Sequence, residues 1–229
     1  MIAENVKIVR QRIVSACVRV QRTPEEITLI AVTKTFSSNL VKEVTLAGIK
    51  DIGENYVQEL CRKREKIADD SIRWHFIGHL QSNKVKHIVP WIYCIHSVDT
   101  ISLGKEISRQ AERSGRPRAE VLVEVNTSGE TTKFGVKPAE TILLVKDLSR
   151  CSNIRVSGLM TIGPFLPDPE SSRPAFQVLA YLKKKIVQEG IPMQHLSMGM
   201  TNDFEIAIEE GATMIRIGTA ILGKRKKVD

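Results

Sequence analysis

The segment ITLIAVTKT, at positions 27–35, decides the fold. It is a short apolar run with several β-branched side chains, and it ends on polar residues. An uninterrupted run of this kind is typical of a strand that is buried on both faces, as in a parallel sheet. A segment with helical spacing follows it directly. The same order of strand and helix recurs to the end of the chain, which indicates an α/β protein.

Eight runs of this type are predicted strands, at residues 27–35, 51–54, 74–78, 93–98, 120–126, 155–161, 195–198 and 214–218. The main helical patterns between them span residues 38–47, 56–67, 82–88, 102–114, 138–148, 173–189 and 203–210. Several of these helices are followed by a glycine suited to a left-handed cap, namely Gly48, Gly115, Gly190 and Gly211. Eight such units with right-handed crossovers close into a (β/α)8 barrel, and an open doubly wound sheet is the alternative.

The 229 residues suit one barrel domain over positions 1–229. An extra helix at residues 2–22 precedes the first strand, and we expect it to pack on the barrel or to cover its floor. The proline-rich stretch at residues 163–169 predicts an irregular loop after the sixth strand.

Composition narrows the class of protein. Apolar residues make up 42% of the chain and charged residues 26%, without an apolar run long enough to span a bilayer and without the apolar core of a signal peptide. The four cysteines form no C-x-x-C pair, which favours reduced thiols. We therefore expect a cytoplasmic protein, monomeric and without membrane contact.

The net charge of +8 raises the question of nucleic-acid binding. The excess is spread over separate helices and the carboxyl-terminal stretch 224–227, and no nucleic-acid recognition motif accompanies it. No nucleic-acid partner is expected. A further hypothesis is that residues 224–227 attract acidic surfaces of partner proteins.

Functional side chains of a βα barrel collect where its strands end. Lys34 ends the first strand, where a barrel wall would exclude water from its amine and favour the neutral, nucleophilic form. The alternative is a lysine that extends to solvent along its apolar stem.

The ends of the seventh and eighth strands carry glycines and hydroxyl groups, which suit a phosphate bound by backbone N–H groups. The residues are Ser197, Gly199, Met200, Thr201, Gly218 and Thr219. Each loop taken singly is equally typical of a plain turn.

Arg216 lies in an otherwise apolar strand. It suits the ring nitrogen of a pyridoxal 5′-phosphate (PLP) cofactor, or else it forms a buried ion pair with Glu124 or Glu54. Because arginine stays protonated, it would leave the ring nitrogen without a proton and the ring a poor electron sink. Asn55 could bond a ring substituent or cap the next helix.

Histidine spacing predicts no metal site. His75 and His79 flank the third strand without further ligands at a coherent spacing, and the other histidines add none. Packing or loop roles are the better interpretation.

Several ordered motifs carry a resemblance over essentially the whole chain. They include Ala31-Val32-Thr33-Lys34, Gly53-Glu54-Asn55-Tyr56, Trp74-His75-Phe76-Ile77-Gly78, Leu196-Ser197-Met198-Gly199-Met200 and Arg216-Ile217-Gly218-Thr219. The chain resembles the YggS/PROSC family of PLP-homeostasis proteins. The resemblance implies a barrel like the N-terminal domain of alanine racemase, with PLP held as a Schiff base on Lys34. It also implies a phosphate site in 197–201 and Gly218-Thr219, Arg216 at the ring nitrogen, and no catalytic turnover.

Two positions depart from the family pattern. His79 stands where the family usually has proline, and Thr201-Asn202-Asp203 stands where Ser-x-Asp or Ser-Asp-Asp is commoner. The second change keeps the hydroxyl that a phosphate would bind. The first could alter a loop over the cofactor, in a direction that the sequence does not set.

Four functions compete. A non-catalytic PLP carrier that hands its cofactor to apo-enzymes is favoured, and no residue is assigned as catalytic. A racemase-like PLP enzyme would need a second base, usually a tyrosine from a further domain, which we do not expect because the sequence ends shortly after the eighth strand. A Schiff-base aldolase without PLP and a nucleic-acid binder complete the set.

Overall fold

The computed structural model describes residues 1–130, 133–164 and 166–223, so the basic stretch 224–227 lies outside the described residues. Eight parallel strands form a closed barrel in chain order, with β1 paired to β8. Their bounds are β1 Thr28–Val32, β2 Asp51–Glu54, β3 Arg73–Phe76, β4 Cys94–Val98, β5 Ala119–Glu124, β6 Ile154–Met160, β7 His195–Ser197 and β8 Met214–Ile217. The barrel prediction is confirmed, and the doubly wound alternative is wrong.

Helices surround the barrel. Their bounds are α1 Ile2–Arg19, α2 Ser38–Leu46, α3 Val57–Ile67, α4 Val85–Ile88, α5 Ile101–Arg113, α6 Thr141–Ser149, α7 Arg173–Gln188, α8 Phe204–Glu209 and α9 Thr219–Leu222. Short 3-10 turns precede α4, α6 and α7. None of the helices in the described part of the chain is both long and apolar enough to cross a membrane.

The extra amino-terminal helix packs on the outside of the barrel. Val6, Val9 and Ile13 recur on one buried face of α1, and the helix lies against α2, α8 and α9. Arg12 of α1 forms a bidentate ion pair with Glu205 of α8. Of the two placements that the sequence left open, the helix therefore packs on the wall.

Two segments differ from the predicted helices. The pattern at residues 82–88 forms a 3-10 turn and then only one α-helical turn, Val85–Ile88. The single-turn helix Thr219–Leu222 begins directly after Gly218 and was not predicted, because four residues are too few to show a hydrophobic period.

The barrel interior holds both apolar and polar side chains. A small apolar cluster inside the barrel consists of Ile30, Cys94, Leu122, Met160 and Met214. Polar side chains such as His75, His96, Ser197 and Arg216 are also buried within the barrel. A buried polar group is tolerated only when it is hydrogen-bonded, so the partners of these side chains determine what the barrel can do.

Candidate functional site

A cavity of about 350 Å³ opens where the strands end. Its described walls are Val32, Lys34, Phe36, Asn55, Ile77, Ile162, Pro164, Leu166, Pro169, Ser172, Met200, Thr201, Asn202, Asp203, Arg216, Gly218 and Thr219. Apolar and polar residues contribute to these walls in equal number. A cavity of this kind at the carboxyl-terminal end of a βα barrel is the usual site of ligand binding.

Seven of the nine residues predicted for the site line this cavity. They are Lys34, Asn55, Met200, Thr201, Arg216, Gly218 and Thr219. Lys34 follows β1 and is half-buried. The structure thus brings residues from four distant parts of the sequence to one cavity, as the barrel topology requires.

Ser197 and Gly199 do not line the cavity. Ser197 is fully buried, and its Oγ accepts a hydrogen bond from Arg216 Nη1 at 2.6 Å. Gly199 has a φ of 89°, and an added Cβ would lie 2.6 Å from the Cβ of Ala207. Glycine is therefore required by packing between the β7 loop and α8, and the Ser197 hydroxyl is engaged inside the barrel.

The loop after β7 is fixed by an aspartate. Asp203 Oδ1 accepts from the backbone N–H of Met200 at 2.7 Å, and its Oδ2 accepts from Ser172 Oγ at 2.9 Å. The backbone N–H groups of Thr201, Gly218 and Thr219 have no hydrogen-bond partner among the described residues. Unpartnered N–H groups on two adjacent loops can bind an anionic oxygen.

Arg216 is buried, with 4% of its surface exposed. Its Nη2 donates to the carbonyl oxygen of Thr161 at 2.8 Å, beside the bond to Ser197. Burial lowers the pKa of Arg216 to about 10, although Glu124 and Asp203 favour its charged form. No carboxylate in the described ranges forms an ion pair with it, so the alternative in which Glu124 or Glu54 pairs with Arg216 is wrong.

A continuous row of hydrogen bonds connects Arg216 to the opposite end of the barrel. From Ser197 Oγ it passes to His96 Nδ1 at 2.9 Å, and from His96 Nε2 to His75 Nδ1 at 2.9 Å. His75 Nε2 lies 3.0 Å from Asp51 Oδ1, and Arg73 Nε donates to the same oxygen at 2.8 Å. We call this row the interior relay.

The hydrogen-bond directions in the relay follow from its ends. A guanidinium only donates, so Ser197 accepts from Arg216 and donates its own proton to His96. Burial lowers the pKa of both His75 and His96, which keeps the two rings neutral. Each ring then donates one proton towards Asp51, and both nitrogens of His75 and of His96 have a partner.

Cys94 lies beside the two histidines, and the three ligand atoms are within 4.8 Å of one another. The sequence did not suggest this grouping because the residues come from two strands. The facing imidazole nitrogens are only 2.9 Å apart and share a hydrogen bond. Two nitrogens held by one tetrahedral zinc would lie roughly 3.3 Å apart, given bonds of about 2.0 Å. The arrangement is that of a hydrogen-bonded pair.

Asn55 follows β2 and lines the cavity. The N-cap position of α3 is occupied by Tyr56, so Asn55 does not cap that helix. Its Oδ1 is buried without a hydrogen-bond partner in the described structure. An orphaned buried polar atom at a cavity wall is suited to a bound ligand.

Glu124 ends β5 close to Arg216. Burial raises the pKa of its carboxyl to about 7, and the neighbouring Asp99 acts in the same direction. Its ionisation would therefore change near neutral pH. Sequence reasoning considered this residue only as an ion-pair partner.

His79 and Phe134 form a stacked pair between the loops that follow β3 and β5. Their ring centroids are 3.9 Å apart, and the planes meet at 13°. His79, which was expected to depart from the family pattern, thus makes an aromatic contact here.

The sequence is similar to those of known proteins. The alanine racemase N-terminal domain family matches residues 2–226. A pyridoxal phosphate homeostasis protein of Aquifex aeolicus is 42% identical over 97% of this chain and 98% of its own length. One of Pseudomonas aeruginosa is 40% identical over 98% of this chain and 96% of its own length.

Solved structures of similar fold support the same family assignment. The chain superposes with a TM-score of 0.91 on the crystal structure of an unknown protein from Bifidobacterium adolescentis, at 37% identity over 96% of this chain and 94% of that one. PipY of Synechococcus elongatus, solved with PLP bound, gives a TM-score of 0.81 at 32% identity over 97% of this chain and 100% of that one. The chain therefore belongs to the alanine racemase N-terminal domain family and, within it, to the pyridoxal phosphate homeostasis group.

Proposed function

We propose that this protein binds PLP covalently through Lys34 and stores or delivers it without catalytic turnover, as part of PLP homeostasis. One observation carries the proposal. A single cavity presents the amine of Lys34, the guanidinium of Arg216 and unpartnered backbone N–H groups beside Thr201 and Thr219. The bound PLP of the related PipY supports the same ligand.

The residues fit the cofactor group by group. The unpartnered N–H groups of Thr201, Gly218 and Thr219, with the two threonine hydroxyls, suit the phosphate. Arg216 suits the ring nitrogen, and the orphaned Asn55 Oδ1 suits a hydroxyl on the ring. PLP supplies an aldehyde that condenses reversibly with a lysine amine. Lys34, at the edge of the barrel wall, supplies that amine.

The charges of the site argue against turnover. With a pKa of about 10, Arg216 keeps its proton at neutral pH and donates to a ring nitrogen instead of accepting a proton from it. That arrangement weakens the ring as an electron sink for carbanion chemistry.

A second base is also missing from the described cavity wall. Its titratable side chains are Lys34, Asp203 and Arg216, and Asp203 is engaged by Ser172 and Met200. Racemisation through two bases on opposite faces of the cofactor would need a further group. A racemase-like activity is the second candidate, and the family relation to alanine racemase is the observation behind it.

The remaining parts of the proposal concern context. We infer one domain over residues 1–229, acting as a monomer in the cytoplasm, with apo PLP enzymes as recipients and no nucleic-acid partner. The basic stretch 224–227, outside the described residues, stays a proposed attachment point for acidic partner surfaces.

The test compares the parent protein with Lys34→Ala and with Lys50→Ala, a lysine at the opposite end of the barrel that donates to Ser71. Each protein is incubated with PLP, and its absorption spectrum is recorded before reduction. The sample is then reduced with borohydride, and the adduct is located by peptide mass. The proposal predicts a visible band and a PLP adduct on the Lys34 peptide in the parent and in Lys50→Ala, and neither in Lys34→Ala.

Other results separate the alternatives. A parent without band or adduct would contradict PLP binding and favour an aldolase-like use of Lys34. An adduct together with exchange of the α-proton of added amino acids would favour the racemase-like enzyme.

A further inference from the structure

A second lysine is buried close to the end of β1. The side chain of Lys63, on α3, is only 5% exposed. Its Nζ donates to the carbonyl oxygen of Thr33 at 2.6 Å, to Glu54 Oε1 at 2.6 Å and to Glu59 Oε1 at 2.7 Å. An ammonium has three protons, so the donors of Lys63 are all used.

Lys63 and Glu59 bind the backbone on either side of Lys34. The carbonyl of Thr33, which accepts from Lys63, belongs to the peptide group before Lys34. The N–H of Thr35 belongs to the peptide group after it and donates to Glu59 Oε1 at 2.6 Å. Both peptide planes that flank Lys34 are therefore fixed by the cluster of Thr33, Thr35, Glu54, Glu59 and Lys63, which we call the Lys63 cluster.

The backbone at this point is not one that the sequence would adopt unaided. Thr35 has a φ of 68°, in the left-handed region that a β-branched residue rarely occupies. Its N–H bond to Glu59 holds that conformation. The chain turns away from the barrel immediately after Lys34, which leaves the lysine at the cavity.

The cluster also joins three elements. Thr33 Oγ1 donates to Glu54 Oε1 at 2.6 Å, so the end of β1 is tied to the end of β2. Glu54 is fully buried, and its second oxygen has no partner among the described residues. A buried carboxylate with one oxygen unpartnered depends on its cation for stability. Removing Lys63 would leave Glu54 without that cation and the carbonyl of Thr33 without its donor.

We infer that Lys63 and Glu59 are positioning residues for Lys34, which set the direction in which its side chain enters the cavity. The inference rests on the proposed function, in which the amine of Lys34 reacts with the aldehyde of PLP. The direction of a side chain follows the two peptide planes at its Cα. A reacting amine that is misplaced by about 1 Å can lose a factor of roughly 100 in rate. Neither Lys63 nor Glu59 lines the cavity, so they act through the backbone.

The experiment separates capture of the aldehyde from occupation of the cavity. Capture is followed by adding PLP, quenching with borohydride at intervals and measuring the adduct on Lys34. Occupation is measured with pyridoxine 5′-phosphate, which has the ring and the phosphate but no aldehyde. A purely structural role for the cluster would change both measurements together.

The first variant is Lys63→Met, and its matched control is Arg116→Met. Arg116 also donates from a half-buried cation to backbone carbonyls, those of Val89 at 2.7 Å and Ile92 at 2.6 Å, near the start of β4 and away from the cavity. We expect capture to slow roughly tenfold or more in Lys63→Met, while its affinity for pyridoxine 5′-phosphate stays within about twofold of the parent. Arg116→Met should match the parent in both.

A milder pair guards against misfolding of Lys63→Met. Glu59→Ala removes the acceptor of the Thr35 N–H but leaves the bond between Lys63 and Glu54. Glu59→Gln keeps an oxygen in place. Capture should slow in Glu59→Ala and recover in Glu59→Gln.

The outcomes are distinct. Equal capture rates in the parent, Lys63→Met and Glu59→Ala would overturn the inference, as would a parallel loss of capture and of pyridoxine 5′-phosphate binding. If the parent itself captures no PLP, the proposed function fails first and the positioning role falls with it.

Discussion

The guanidinium of Arg216 and the hydroxyl of Ser197 form a buried hydrogen bond of 2.6 Å. The same hydroxyl lies 2.9 Å from His96 Nδ1, and Arg216 is held on its other side by the carbonyl of Thr161. Uncharged groups thus orient the cation, and no carboxylate in the described residues pairs with it. Its positive charge stays available to a ligand, because a neutral acceptor orients a guanidinium without cancelling its charge.

Removing that hydroxyl should destabilise the protein. Ser197→Ala leaves one N–H of Arg216 and one nitrogen of His96 without their partner in the barrel interior. A buried group that loses its partner costs about 1–3 kcal/mol, so we expect a loss of about 2 kcal/mol in the free energy of unfolding. Urea denaturation measures it.

Ser157→Ala is the control for this change. Ser157 is also buried, but its hydroxyl makes only a 3.5 Å contact with the carbonyl of Val121. The loss there should stay below about 1 kcal/mol, because so long a hydrogen bond is weak. Equal losses for the two serines would remove the energetic role given to Ser197.

The buried carboxyl of Glu124 should make stability depend on pH. Its pKa is about 7 in the folded protein, above the ordinary value of 4.5. Between these values the folded state binds more protons than the unfolded state, so this group's contribution to stability falls as pH rises through that window. Above pH 7 the raised pKa of Glu124 lowers the free energy of unfolding by at most about 3 kcal/mol.

Glu124→Gln tests this pH dependence, since glutamine resembles the protonated acid. The variant should match the parent near pH 4.5 and become the more stable protein at pH 8, as measured by urea denaturation at both values. Glu170→Gln is the control. The hydrogen bond from Arg173 lowers the pKa of Glu170, so the pH dependence of its contribution to stability has the opposite sign. A stability difference for Glu124→Gln that is independent of pH would contradict the raised pKa.

The sequence predicted the barrel because every strand is a local apolar run and the connections repeat. The strand Asp51–Glu54 has the predicted bounds, and the others differ by only a few residues at their ends. The interior relay was not predicted, since His75, His96 and Ser197 lie on three strands that meet only after the barrel closes. Local periodicity contains no information about such meetings.

The site was foreseen for a similar reason and only in part. Lys34, Arg216 and Thr219 lie at strand ends, and topology alone brings strand ends together. The burial of Lys63 depends on which face of α3 meets β1, and the spacing of apolar residues in α3 does not show it. Glu54 at the end of a strand, followed nine positions later by a lysine in a helix, is the one signal that could have suggested the pair.

The phosphate end of the cavity should discriminate between PLP and pyridoxal. Thr201→Val removes a hydroxyl at the cavity wall while keeping the volume of the side chain. One hydrogen bond to a charged group contributes about 1.5–3 kcal/mol, so PLP should bind roughly tenfold or more weakly. Pyridoxal, which has no phosphate, should bind as before. Titration by absorption checks this, with Thr45→Val as control, since Thr45 is half-buried in α2 and does not line the cavity. A parallel loss for both ligands would contradict a phosphate role for Thr201.

The contact between Gly78 and Asn55 sets the wall of the cavity beside β2. A Cβ added at Gly78 would lie 2.3 Å from the carbonyl oxygen of Asn55, so Gly78→Ala must displace the Asn55 backbone. Overpacking of this kind costs about 1–3 kcal/mol, and we expect both a lower free energy of unfolding and weaker binding of pyridoxine 5′-phosphate.

At Gly218, also beside the cavity, an added Cβ would come no closer than 3.7 Å to Val32. Gly218→Ala should therefore unfold like the parent in urea, and any loss of ligand affinity in it would come from the ligand and not from the fold. If Gly78→Ala unfolds like Gly218→Ala, the close approach of Gly78 to Asn55 does not constrain the site.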